Sequence, residues 1–205
     1  MNCDTIYNTR ISDDFNNGKK LLYDLKNNVT VFGSARTQEN NAYAKKAQEL
    51  GYVLANEGIN IITGGGDGIM QAANKGAFES KKAQSVGLSI ELPFENSVNP
   101  YTTKSLTFNY FFSRKYMLVK YSKACIIFPG GFGTLDELFE VLTLIQTHKM
   151  RDGFKLYLVG CDFWKGLIEF IKTTLVSEKM IDAGDLDIIK LSDDIEAIKN
   201  EIIKL

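Results

Sequence analysis

The sequence predicts an α/β protein in which a parallel sheet lies between two layers of helices. Short apolar runs of strand length alternate with longer segments whose apolar residues recur at helical spacing. Some of these runs pass straight into glycine-rich turns that open a helix, as at residues 59–68 and 125–134. The alternation favours right-handed crossovers and a Rossmann-like doubly wound parallel sheet, a three-layer α/β/α sandwich. The 205 residues and 44% hydrophobic content fit a single domain.

The individual elements follow from local patterns. Apolar and β-branched runs predict strands at residues 29–32, 59–63, 84–90, 105–108, 125–128, 155–159 and 188–191. Amphipathic spacing predicts helices at residues 43–57, from the glycine-rich segment 64–70 through 77, and at 110–121, 135–149, 163–176 and 192–205. Gly58 ends the first of these helices. Asn109 and Ser192 are expected to cap the third and the last.

Residues 1–28 stand apart from this alternation. They are polar and rich in asparagine, with only a weak apolar pattern in their second half. We expect a disordered start followed by a helix that ends at Asn27 and Asn28. Residues 29–205 then form the Rossmann-like domain.

Charge and composition narrow the classes of partner. The net charge of −1 gives no electrostatic case for nucleic acid or for an anionic membrane. No apolar run approaches the roughly 20 residues that span a bilayer, and residues 1–28 are too polar for a signal peptide, so a cytoplasmic location is expected. Cys3, Cys125 and Cys161 lack CxxC spacing, and the single histidine, His148, has no neighbour at ligand spacing. We therefore expect neither a metal nor another cofactor.

The stretch from Ala124 to Glu140 carries the strongest chemical signal. An apolar strand stops at the turn Pro129-Gly130-Gly131-Phe132-Gly133-Thr134, and helical spacing resumes at Leu135. Glycines let backbone N–H groups face a ligand, and a helix N-terminus carries unpaired N–H groups and partial positive charge. Such a turn binds anions, most often phosphate. It lacks the lysine of GxxxxGK[ST], and Asp136 stands where GxGxxG needs its third glycine.

This stretch resembles the PGGxGTxxE signature of the LOG-type phosphoribohydrolases. Every specified position matches: Pro129, Gly130, Gly131, Gly133, Thr134 and Glu137. Enzymes of that family cut the N-glycosidic bond of nucleoside 5'-monophosphates, and they include the cytokinin-activating enzymes. The resemblance implies hydrolysis of AMP or N6-modified AMP to free base and ribose 5-phosphate. It also implies a homodimer or larger homo-oligomer, for which apolar surface could come from Tyr110, Phe111, Tyr116 and Met117 if these are not plain core.

An arginine-lysine pair precedes the motif. Arg114 lies 23 residues before Glu137, and the resemblance assigns catalysis to these two residues and a place in the substrate site to Lys115. From the residues alone, two alternatives stay open. Thr134 and Glu137 also fit a capping box, in which the two residues satisfy each other's backbone donors. An arginine-lysine pair on a helix is more often a solvated surface.

The resemblance implies further substrate contacts. The turn and its helix contribute Gly130, Gly131, Phe132, Gly133, Thr134, Asp136 and Thr143. A GGGxxGxM segment contributes Gly65, Gly66, Gly68 and Met70, and the turn after the first strand contributes Gly33 and Ser34. On the loop after the third strand, Glu95 is favoured over Glu91. The GGGxxGxM segment also fits a close backbone approach between packed elements, and Gly33 with Ser34 fits a plain tight turn.

The implied chemistry suits these residue types. Cleavage between a base and C1' of ribose passes through an oxocarbenium-like state, so a carboxylate beside C1' can stabilise charge and deprotonate the attacking water. Glu137, predicted in the first helical turn, is expected to stay ionised because a helix N-terminus favours negative charge. Arg114 is no general acid at neutral pH, and would hold Glu137 or hydrogen-bond to substrate. The alternative function is a non-catalytic binding protein, since related molybdenum-cofactor carriers hold a phosphorylated ligand without cleaving it.

Overall fold

The computed structural model describes residues 3–92 and 98–205. Across these residues, seven parallel strands form one sheet: β1 (Asn28–Phe32), β2 (Asn60–Thr63), β3 (Ser85–Ile90), β4 (Lys104–Phe108), β5 (Ala124–Ile127), β6 (Lys155–Leu158) and β7 (Ile189–Leu191). Their order is β4-β3-β2-β1-β5-β6-β7, and every neighbouring pair is parallel. The predicted doubly wound parallel sheet is confirmed, and each predicted strand ends within one residue of the observed one.

Helices cover both faces of the sheet. They are α1 (Cys3–Leu22), α2 (Ala42–Asn56), α3 (Ile69–Ser80), α4 (Phe111–Lys120), α5 (Phe132–Gln146), α6 (Cys161–Phe170) and α7 (Ile195–Ile202). A π-helical turn continues α6 over Ile171–Val176, and a 3-10 helix spans Ala183–Ile188. Together with β1 to β7 they form a three-layer sandwich.

Three local predictions are wrong. Helix α1 ends at Leu22 and not at Asn27 and Asn28, while the expected disordered start falls partly on residues 1 and 2, outside the described residues. The cap of α7 is Asp194, whose carboxylate accepts a hydrogen bond from the N–H of Ala197 at 2.9 Å, and not Ser192. The residue at the cap position of α4 is Tyr110, and not Asn109.

Each face of the sheet has its own apolar core. On one face, α2, α3 and α7 bury Leu50, Ala73 and Ile198, among others. Helices α2 and α3 approach so closely that a Cβ on Gly76 would lie 1.9 Å from the carbonyl oxygen of Gln48. On the other face, α1, α4, α5 and α6 bury a set that includes Leu22, Met117, Leu138 and Trp164. Helix α4, which carries Arg114, therefore packs on the second face of the sheet.

The strand order reverses between β1 and β5, which is where open α/β sheets place their ligand crevice. The turns that follow these strands meet there. The N–H of Ser34, after β1, donates to the carbonyl of Pro129, after β5, at 3.1 Å. The N–H of Ile69, at the start of α3, donates to the carbonyl of Ser34 at 3.0 Å. Three turns are therefore joined at one edge of the sheet.

Candidate active site

A cleft of about 910 Å³ opens at this edge. The turns after β1, β2 and β5 form its walls together with α4 and the first turns of α5. Of the predicted site residues, those that line it are Gly33, Ser34, Gly66, Met70, Arg114, Gly131, Phe132, Gly133, Thr134, Asp136 and Glu137. The volume lies in the range of pockets that hold small molecules.

The other predicted residues lie outside the lining. Gly65, Gly68 and Gly130 belong to the turns that carry lining residues, while Lys115 and Thr143 lie on α4 and α5. The Thr143 hydroxyl is exposed and donates to the carbonyl of Phe139 at 2.7 Å. Glu95 lies outside the described residues.

The mouth of α5 faces the cleft with bare backbone. The helix begins at Phe132, and its cap residue is Gly131, which has no side chain to occupy the first N–H groups. A Cβ on Gly131 or on Gly133 would meet nothing within 4 Å, and Phe132 between them is 93% exposed. Packing within the protein therefore does not explain these two glycines, and the space beside them is open to a ligand.

The capping-box interpretation is wrong. Thr134 is the third residue of α5 and not its cap, so Glu137 lies in the second turn. The Thr134 side chain instead packs against Gly130, where a Cβ would lie 2.0 Å from the Thr134 Oγ1. Gly130 is thus required by the packing of the turn, and Glu137 is free of a role at the helix end.

Two further glycines are explained by packing. A Cβ on Gly33 would lie 2.5 Å from the Cγ2 atom of Ile69. Gly68 has a φ of +63°, and a Cβ there would lie 2.3 Å from the carbonyl oxygen of Ser34. These residues let the turns after β1 and β2 touch, and thereby fix the shape of the cleft from behind.

A buried polar network holds the glycine-rich turn after β2, and sequence reasoning missed it. Asn74, fully buried on α3, accepts a hydrogen bond from the Thr63 hydroxyl at 2.6 Å and donates to the Ser85 hydroxyl at 2.9 Å. The Asn99 side chain donates to the Asn74 side chain at 2.9 Å and to the carbonyl of Gly66 at 3.1 Å. An asparagine among the alanines of α3 was the available signal, because an amide inside an apolar helix face needs partners.

Glu137 is buried and Arg114 is half-buried at the cleft, and each has a buried polar atom without a hydrogen-bond partner among the described residues. Glu137 is 5% exposed, and its Oε2 has no hydrogen-bond partner among the described residues; neither does the Nε of Arg114. The two do not form an ion pair with each other. The Cζ of Arg114 lies 5.3 Å from the centre of the Phe111 ring, which both supports the guanidinium and lines the cleft. Arg114 therefore does not hold Glu137, and both polar groups are available to a ligand.

Burial sets the charge behaviour of the pair. It raises the pKa of Glu137 from 4.5 to about 7, although the positive charges of Lys115 and Arg114 act in the opposite direction. The helix N-terminus does not keep the pKa of Glu137 near its usual value, because burial has the larger effect. Burial also lowers the pKa of Arg114, against the opposing effect of Glu137 and Asp136.

Lys115 joins the two helices that carry the pair. Its ammonium lies 2.9 Å from a carboxylate oxygen of Asp136 and 2.6 Å from one of Glu140, on successive turns of α5. Its side chain is only 14% exposed, so it is not on a solvated surface. Lys115 thus fixes α4, with Arg114, against α5, with Glu137.

The four aromatic and apolar residues around Arg114 divide between core and surface. Met117 is 2% exposed and belongs to the core, and Tyr110 is half-buried. Phe111 and Tyr116 are 55% and 47% exposed.

Within the part of the chain that the structure describes, no cluster of three or more His, Cys, Asp or Glu could hold a metal ion. No helix among those residues is long and apolar enough to cross a membrane.

The fold and the cleft define a Rossmann-like α/β protein with a ligand-sized crevice at its switch point. The chain belongs to the family described as possible lysine decarboxylase, whose LOG-type members gave the resemblance above, and the family model matches residues 70–202. This match includes Arg114 and Glu137 and confirms the predicted family.

Named relatives act on nucleotides. A pyrimidine/purine nucleotide 5'-monophosphate nucleosidase of Escherichia coli is 29% identical over 162 residues, which cover 73% of this chain and 35% of that protein. A cytokinin riboside 5'-monophosphate phosphoribohydrolase LOG of Oryza sativa is 31% identical over 155 residues, which cover 73% of this chain and 61% of that protein. The chain thus spans about a third of the length of the nucleosidase. The molybdenum cofactor binding protein of Rippkaea orientalis superposes with a TM-score of 0.61 at 22% identity, over 87% of this chain and 96% of that one, and shares the fold.

Proposed function

We propose that the protein is a nucleoside 5'-monophosphate phosphoribohydrolase. It would hydrolyse the N-glycosidic bond of AMP or N6-modified AMP to free base and ribose 5-phosphate. The observation that carries this proposal is Glu137, a buried carboxylate with an unpartnered oxygen in a cleft that the uncapped start of α5 also lines. The names of the relatives support the same class of reaction.

The helix mouth accounts for the phosphate. Helix α5 has no side-chain cap, and the space beside Gly131 and Gly133 is open, so an anion can approach the positive end of the helix dipole there. A phosphate held there places the sugar, and hence C1', toward Glu137 in the next turn. Binding energy from this non-reacting group would then serve to orient the reacting bond.

Glu137 and the attacking water account for the chemistry. As the bond from the base nitrogen to C1' breaks, its electron pair leaves with the base, and positive charge develops on the ribose. Ionised Glu137 stabilises that charge and accepts a proton from the water, whose oxygen bonds to C1'. The departing base takes up a proton from solvent, and Glu137 releases to solvent the proton that it accepted, so the atoms and charges balance. Arg114 remains charged and donates hydrogen bonds to substrate oxygens or to the departing base.

Decarboxylation of lysine, which the family description suggests, fits the cleft less well. A pyridoxal phosphate enzyme needs a lysine that reaches the cofactor. Among the residues that the structure describes, no lysine lines the cleft, and Lys115 beside it is held between Asp136 and Glu140.

Release of adenine from AMP tests the proposal. We expect chromatography to show adenine and ribose 5-phosphate in equal amounts, with kcat/KM for adenosine lower by about 100-fold or more because it lacks the phosphate. AMP that binds and is recovered intact would instead favour a carrier. Equal turnover of adenosine and AMP would contradict the phosphate site at α5.

We also propose a homodimer that uses the outer surface of α4 and α5. Tyr116 on α4 and Phe139 on α5 are 47% and 40% exposed, so the helices of the cleft leave aromatic surface that a second copy of the chain could cover. Light scattering should give twice the 23.0 kDa of the chain, and the substitution Phe139→Glu should shift the mass toward the monomer.

A further inference from the structure

The N-terminal helix α1 packs directly on α4, the helix that carries Arg114. A Cβ on Gly18 would lie 2.9 Å from the Cγ of Met117, so the Met117 side chain packs directly against the backbone of α1. The rings of Phe15 and Tyr116 meet edge to face with their centres 5.5 Å apart. Helix α1 is therefore part of the second core and not a loose extension of the chain.

One carboxylate on α1 holds the chain where it enters α4. Asp14 is 3% exposed and accepts hydrogen bonds from the backbone N–H groups of Asn109 and Tyr110, each at 3.1 Å. The side-chain amide of Asn109 donates to it at 2.7 Å, and the hydroxyl of Ser113 donates at 2.5 Å. Asp14 thus binds the two residues before α4 and one residue of its first turn.

These contacts lie immediately before the arginine of the cleft. Tyr110, at the cap position of α4, makes no side-chain capping bond of its own. The N–H of Arg114 donates to the carbonyl of Tyr110 at 3.2 Å and so closes the first turn of the helix. The backbone that Asp14 fixes is therefore the backbone from which Arg114 projects.

Arg114 depends on that backbone for its direction. Its Nε has no partner among the described residues, and the Phe111 ring that supports it belongs to the same helix. Its guanidinium also lies beside the turn after β2, where a Cβ on Gly64 would be 3.7 Å from the Nη1 of Arg114. The direction of the side chain therefore depends on where α4 holds its backbone. Asp14 at its start and Lys115 against α5 are two of the contacts that fix the helix.

We propose that Asp14 is a positioning residue for Arg114, and that α1 contributes to the proposed hydrolysis by fixing the angle at which the arginine enters the cleft. This role rests on the proposed function. The family model matches residues 70–202, which include Arg114 but not helix α1. The positioning residue therefore comes from a part of the chain outside the family match. Every group that meets Asp14 donates a hydrogen bond, so an amide at this position would bring a donor against a donor.

The first test compares two neighbouring aspartates. Asp14→Ala should lower kcat for AMP by about 10- to 100-fold while KM stays within about threefold, because displacement of a group by about 1 Å costs up to that much in rate. Asp13→Ala is the matched control, since Asp13 is exposed on the same helix, and it should keep the activity of the parent protein. Ser113→Ala removes one donor without altering α1, and should lower kcat by a few-fold.

A double-substitution cycle separates positioning from a loss of folded protein. Single-turnover assays with enzyme in excess keep slow variants measurable. In an Arg114→Ala background, adding Asp14→Ala should change the rate by less than about twofold, because the group it positions is gone. A loss of folded protein would instead lower the rate by the same factor in both backgrounds. That result, or parent-like kcat in both Asp14→Ala and Ser113→Ala, would overturn the proposal.

A parallel measurement does not depend on the reaction. Hydrogen exchange of the N–H groups at residues 109–113 should accelerate in Asp14→Ala and not in Asp13→Ala. If the parent protein releases no base from AMP, the proposed function fails while this contact is still tested. The parent protein could instead be active while Asp14→Ala shows faster exchange but an unchanged kcat. In that case the proposed function stands and the positioning role fails.

Discussion

Glu137→Gln tests the burial of the cleft carboxylate through stability. Burial raises the pKa of Glu137 from 4.5 to about 7. Between these pH values the folded protein holds a proton that the unfolded chain has released. The free energy of unfolding therefore falls as pH rises through this window, and the stabilisation is present in full only below pH 4.5. At 1.36 kcal/mol per pH unit, the change corresponds to about 3 kcal/mol.

The variant should be more stable and less active. Glutamine has nearly the same shape and is neutral at every pH, so Glu137→Gln should lack this part of the pH dependence. The quantity to compare is the free energy of unfolding of the variant minus that of the parent. This difference should be about 3 kcal/mol larger above pH 7 than at pH 4. Base release from AMP should fall by about 100- to 10,000-fold, the usual contribution of a general base, while AMP binding changes little.

Urea unfolding followed by circular dichroism, at several pH values from 4 to 8.5, gives the stability difference. Glu49→Gln serves as the matched control, because Glu49 is exposed on α2 and its substitution should reproduce the parent curve. Calorimetry measures AMP binding, and chromatography measures released adenine. A parent-like pH slope in Glu137→Gln would refute the burial account, and loss of stability at every pH would restore a structural role for the carboxylate.

The remaining predictions concern the elements around Glu137. Lys115→Met removes a positive charge that lowers the pKa of Glu137, so the acid limb of the kcat/KM profile should move to higher pH, and no movement would contradict this coupling. Gly131→Ala should raise KM for AMP about tenfold without loss of stability, whereas Gly130→Ala should lower the melting temperature, because only the second Cβ meets protein atoms. Gly76→Ala should lower the free energy of unfolding in urea by about 1–3 kcal/mol, since its Cβ would lie 1.9 Å from a carbonyl oxygen. Gly166→Ala is the control and should not lower it, because a Cβ there would meet no atom within 4 Å.

The sheet could be predicted from the sequence because its signal is local. Strands buried on both faces are near-continuous apolar runs, and the chain marks their ends with glycine or polar residues, as at Gly33 and Gly64. Helix α1 lacks such a signal, because its residues are mostly polar. Its position depends on Asp14, whose partners lie 95 to 99 residues further along the chain. Contacts of that range cannot be read from periodicity.

The site could be predicted in part. The sequence predicts the glycine-rich turn and a helix after it, and both are present. The predicted start of α5 is too late, because Phe132 is 93% exposed and does not continue the apolar stripe. The charge state of Glu137 could not be predicted, because it depends on burial by elements that are distant in sequence. The network around Asn74 is also tertiary, since it joins β2, β3, α3 and the segment before β4.

The unpaired state of Arg114 and Glu137 connects stability to the proposed reaction. A buried polar atom without a partner costs about 1–3 kcal/mol, and each of these side chains has one among the described residues. An ion pair between the two would remove that cost, but a substrate would then have to break the pair before either residue could act. Leaving them apart keeps the carboxylate for C1' and the guanidinium for the departing base, so their interactions strengthen as charge develops and not before. Lys115 and Asp14 both hold α4, and so help to keep the backbone of Arg114 in the position at which the two side chains remain apart.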